Sequence, residues 1–90
     1  MKKHALHPNC KIATPVAREI PFCVRERRLE KGWSVEDLAR ESGVPASTIY
    51  AIENGTRSCK FETLERLCDG FGIFTGEITT QADRRARRAA

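Results

Sequence analysis

Between residues 20 and 78 the apolar positions recur at helical spacing, and no stretch alternates with the period of a strand. Phe61, Leu64, Leu67, Cys68 and Phe71 fall on one stripe, which predicts a helix that buries that face, closed by Gly70 and Gly72. Ser34 stands before Val35-Glu36-Asp37-Leu38, an N-cap followed by carboxylates in the first turn, where the helix dipole favours negative charge. Asp37 sits where a capping-box acid would, though its side chain is shorter than the usual Glu. Val35, Leu38 and Ala39 form the inner face of that helix, and Gly43 ends it. Pro45 opens the next helix, which turns Ile49 and Ile52 inward and stops at Asn54-Gly55. An earlier helix, about 21–31, is expected to bury Val24 and Leu29 and to end at Gly32. A last short helix starts near Thr75 and buries Ile78. The pattern therefore predicts an all-α domain of five short helices joined by glycine turns.

Charge changes this picture at the two ends. The 90 residues carry a net charge of +4. Residues 1–19 hold four basic residues against one acidic, and residues 79–90 do the same, while 20–78 balance to −2. Of the Val, Leu, Ile and Phe residues, three precede residue 20 and none follows Ile78. The expected organisation is a basic arm over 1–19, a folded unit over 20–78 and an arginine-rich tail over 79–90. Basic ends suit an arm that meets phosphates, and equally an ordinary solvated terminus.

Other classes are narrowed by composition. No apolar run approaches the roughly 18 residues that a membrane helix needs. Met1-Lys2-Lys3 is not followed by an apolar segment, so no export signal is read, and reduced thiols in a cytoplasm are expected. Cys10, Cys23, Cys59 and Cys68 are unevenly spaced, with no C-x-x-C. His4, His7 and Cys10 have a spacing that a helix could turn toward zinc, but Pro8 interrupts it and no fourth ligand is evident, so no metal is expected. Gly70-Phe71-Gly72 follows a helix rather than a strand, which excludes a dinucleotide-binding loop. Trp33, beside Gly32 at a helix junction, reads as a half-buried lid rather than a stacking platform. No nucleophile–base arrangement or carboxylate pair stands out, and neither an enzyme nor a cofactor is expected.

The segment 35–54 carries the most information. Two helices meet across a tight turn at Gly43, with the small Ala39 at their crossing and Ile49 and Ile52 locking the second onto the first. That spacing is a helix-turn-helix.

The residues Arg28-Leu29-Glu30-Lys31-Gly32-Trp33-Ser34-Val35-Glu36-Asp37-Leu38-Ala39, then Gly43-Val44-Pro45, Ser47-Thr48-Ile49-Tyr50 and Ile52-Glu53-Asn54-Gly55, resemble the lambda repressor/Cro-like, or XRE, helix-turn-helix family. Thr63 to Cys68 and Phe71-Gly72-Ile73 resemble its fourth helix and following turn, so the resemblance covers about 22–78. It implies a five-helix DNA-binding domain, in a transcriptional regulator acting as a homodimer on a palindromic operator. Arg28 and Glu53 match the family's structural ion pair. Ser34 matches a phosphate-contacting position, and the next, usually Gln, is here Val35. Base-facing positions fall on Ala46, Ser47, Tyr50 and Ala51, with Thr48 placed for a phosphate or a base. Arg57 and Lys60 match the loop that clamps the backbone. The alanines bring no hydrogen-bonding group, only contact with a thymine methyl or room for close approach.

The expected function is thus a sequence-specific regulator, a repressor, on double-stranded DNA. Two alternatives stay open: an antitoxin-type protein that binds a protein partner and its own promoter, and a protein-interaction module of the same fold without DNA binding.

Overall fold

A computed structural model describes residues 14–89 as five α-helices, with no strand among the described residues. They are α1 (Pro15–Glu30), α2 (Val35–Ser42), α3 (Ala46–Glu53), α4 (Phe61–Phe71) and α5 (Thr75–Ala89).

The start of α1 is built locally. Thr14 accepts a hydrogen bond from the Ala17 amide, and Pro15 occupies the first turn, where its missing N–H costs nothing. α1 thus starts six residues before the start expected near 21, and Pro21 lies inside it. Tertiary contact holds this early part in place: Ile20 is buried and Glu19 pairs with Arg85 of α5 at 2.9 Å.

α2 begins with a complete capping box. The Ser34 hydroxyl accepts from the Asp37 amide at 3.0 Å, and the Asp37 carboxylate accepts from the Ser34 amide at 2.9 Å. That amide, with Arg40, holds the Asp37 carboxyl below the usual carboxylate range. Gly43 ends α2 at φ 76°, a conformation that favours glycine.

The core runs through all five helices: Val24, Leu38, Ile49, Leu67 and Ile78 are fully buried. Trp33 is half-buried and stacks on Phe71, ring centroids 6.0 Å apart. Two expected core residues lie outside. Leu29 is 57% exposed, the next residue along from the inward-facing Arg28, and Phe61 is 64% exposed at the first position of α4. Gly70 does not close α4, which continues to Phe71; Gly72 supplies the left-handed cap. Gly70 is instead a point of close approach, where a Cβ would stand 2.9 Å from Ser42 Cα.

α5 is longer than the expected short helix. It packs along α1 through Ile78 and Ala82, both fully buried, and through polar links. Arg27 Nε donates to Gln81 at 3.2 Å, Gln81 donates to Glu26 at 2.8 Å, and Arg85 bridges Glu19 and Glu26. The expected boundaries at 19/20 and 78/79 thus fall inside helices. Residues 1–13 of the expected arm, including His4, His7 and Cys10, lie outside the described residues.

Candidate nucleic-acid interface

The turn at Gly43 sets α3 against α2, and Val44, Ile49 and Ile52 bury its inner face. A second anchor comes from α1. Arg28 donates from Nε and Nη2 to the two carboxylate oxygens of Glu53, both at 2.8 Å, and from Nη1 to the Trp33 carbonyl at 2.9 Å. The pair is nearly enclosed, the two side chains being 11% and 6% exposed. The Glu53 hydrogen bonds hold the Arg28 guanidinium above its usual range. This planar fork fixes the end of α3 to α1 and the start of α2.

With its inner face anchored, α3 presents the rest to solvent. Ser47 and Tyr50 are exposed, and Thr48 is half-buried. Arg57, in the loop after α3, reaches back to donate to the Thr48 hydroxyl at 3.4 Å. Lys60 is exposed at the N-cap of α4. Pro45 brings no side-chain acceptor to cap α3; the Thr48 amide donates to the Pro45 carbonyl at 3.0 Å, which leaves the Ala46 and Ser47 amides without a partner among the described residues. Ser47, Thr48 and Arg57 therefore lie together, with a helix N-terminus whose partial positive charge favours an anion.

The other expected residues are placed differently. Ala46 is half-buried and packs against the core, and Ala51 is half-buried. Ser34 is exposed, but its amide is taken by Asp37, which leaves its hydroxyl proton as the group it can offer outward. Val35, in the place of the family's Gln, is buried and contributes to the core instead. Tyr50 does not reach outward alone: its hydroxyl donates to Glu36 of α2 at 3.0 Å. Glu36 carried no signal in the sequence beyond that of a first-turn carboxylate, because its partner lies 14 residues ahead on another helix.

Among the described residues, Cys23, Cys59 and Cys68 are free thiols, with Cys23 and Cys68 buried. Burial pushes Cys23 and Cys59 up to about 11, and burial raises Cys68 as well. No group of acids, histidines and cysteines among the described residues is arranged to hold a metal. No described helix is long and apolar enough to cross a membrane.

The helix-turn-helix family model matches residues 24–77. The chain belongs to the helix-turn-helix family. The match runs from α1 into the first turn of α5, and so includes both anchors of α3. A relative of this helix-turn-helix chain is the cryptic phage CTXphi transcriptional repressor RstR of Vibrio cholerae, 33% identical over 60 residues. The alignment covers 67% of this chain and 54% of that repressor, so the chain spans about half the length of this relative. Among solved structures, the wild-type restriction-modification controller protein C.Esp1396I matches with a TM-score of 0.65 at 26% identity, over 77% of this chain and 91% of that one. A tyrosine-to-alanine mutant of that controller matches with a TM-score of 0.76 at 24% identity, over 84% and 97%. These likenesses agree with the five-helix, lambda repressor/Cro-like fold expected from the sequence.

Proposed function

We propose that this protein is a DNA-binding transcriptional regulator, a repressor that binds a palindromic operator in the cytoplasm as a homodimer. One observation carries the reading: a helix anchored by a bidentate ion pair carries the exposed Ser47 and the half-buried Thr48 at an N-terminus with no side-chain cap, and Arg57 of the following loop reaches back to Thr48. The helix end and Arg57 suit phosphates, and the exposed side of α3 suits the major groove. Ser34 and Lys60 add a hydroxyl and an ammonium for the backbone. The names of its relatives, a phage transcriptional repressor and a restriction-modification controller, support the same reading.

A homodimer follows from economy of readout, since one such helix covers too few bases to select a site, and a two-fold operator asks for a two-fold protein. Ile20 and Ile78 are buried within the chain and are not free for that contact. Phe74, 82% exposed, is the apolar group best placed for that contact.

A protein-interaction module is the second reading. It is favoured by Glu36 and Asp37, two carboxylates crowding the first turn of α2, on the side that would approach phosphates. A gel shift against the DNA upstream of the protein's own gene, in steps of salt and beside random DNA, separates the two. A regulator shifts the upstream fragment at salt that releases random DNA. No shift at low salt supports the interaction module.

A further inference from the structure

α2 and α3 meet on their solvent side at Glu36 and Tyr50, both exposed. The phenol hydroxyl donates to Glu36 Oε2 at 3.0 Å, so its proton is committed. The same bond raises the Tyr50 hydroxyl above its usual range, which strengthens its hold on that proton. What the pair offers outward is then of one kind. The second carboxylate oxygen of Glu36 accepts, and so do the remaining lone pairs on the phenol oxygen. Neither group has a proton to give. Ala51, next on α3, adds no polar group at all.

We propose that Glu36 and Tyr50 act together as a specificity-determining pair, selecting a base that presents an exocyclic amine in the major groove, cytosine above all. The choice among bases follows from what each edge displays. Cytosine shows the N4 amine as a donor, with no acceptor of its own beside it. Adenine sets the N7 acceptor next to its amine, guanine shows two acceptors, and thymine an acceptor and a methyl. An acceptor-only pair meets repulsion at guanine and thymine and a mixed edge at adenine. The inference rests on the docking of α3 described under the proposed function. It also reverses the sign of one effect: a carboxylate near the backbone opposes phosphates, so the pair gives selectivity while lowering affinity for random DNA.

The test is selection of bound duplexes from a randomised pool, followed by affinities for matched duplexes that differ at one base pair. The unaltered protein is compared with Glu36→Gln, Tyr50→Phe and the double variant. Both side chains are exposed, and melting curves check that each variant is folded. The unaltered protein is expected to prefer cytosine to guanine about tenfold at one position of each half-site. Glu36→Gln should lose most of that preference at the same position and bind random DNA more tightly, because the amide removes the charge and adds a donor. Tyr50→Phe should weaken the preference there too, and the double variant should be little worse than Glu36→Gln. The inference is overturned if both single variants keep the parent's preference at every position. It is overturned as well if Glu36→Gln tightens all sequences equally with preferences intact, or if the two variants alter different positions. A parent protein that enriches no sequence at all overturns the docking reading itself.

Discussion

Arg28 is a charged residue in the core, and its burial is tolerable because each of its three guanidinium nitrogens donates a hydrogen bond there. Glu53 supplies two and the Trp33 carbonyl a third. Loss of one partner would leave the other charge enclosed without compensation, at a cost of about 3–5 kcal/mol. Glu53→Ala should therefore lower the melting temperature by more than ~10 °C in a domain of this size. A melting curve within a degree or two of the parent would show that the pair does not hold α3. The two residues were legible from the family resemblance, but the consequence for Leu29 was not. A local apolar pattern assigns the inward position to leucine. Arg28 takes it because it pairs with Glu53, a counter-charge 25 residues away that no helical period can register. The Tyr50–Glu36 bond was hidden for the same reason.

At the scale of elements, the caps were the most legible part. Ser34, Asp37 and Gly43 each act within a few residues of their own position, so sequence spacing contains their geometry. Gly70 shows the limit of that approach. Near the end of a stripe it reads as a stop signal, yet its role is set by Ser42 on another helix. Gly70→Ala should force α2 and α4 apart and destabilise the domain by about 1–3 kcal/mol. Gly76 offers the opposite outcome: a Cβ there meets nothing within 4 Å and φ is not left-handed. Gly76→Ala should leave stability unchanged or raise it by about 0.5–1 kcal/mol through reduced freedom of the unfolded chain. Chemical denaturation of the two variants checks both signs; a Gly70→Ala protein as stable as the parent would contradict the close approach.

Over the whole molecule, the charge pattern at the C-terminus has a different meaning from the one its composition suggests. Arg85 is bound to Glu19 and Glu26, and Arg87 to Asp83. No large apolar residue follows Ile78, so the segment reads as a tail; it is a helix held by Ala82 and by ion pairs with α1 that only the folded chain brings together. Truncation after Ile78 should strip the cover from Ile20 and Cys23 and lower the melting temperature substantially. A truncated chain that melts with the parent would return this segment to the status of a solvated end.

The claim that α3 and the loop after it form a DNA-docking face is tested most directly by the salt dependence of Arg57→Ala. Arg57 is placed beside Thr48 and the N-terminus of α3, where it would meet phosphate, and phosphate contacts carry no sequence information. The variant should bind operator and random DNA more weakly by a similar factor. Its plot of log affinity against log salt should be shallower than the parent's by about one unit. Unchanged affinity and an unchanged slope on both DNAs would contradict the account and leave the interaction module in its place.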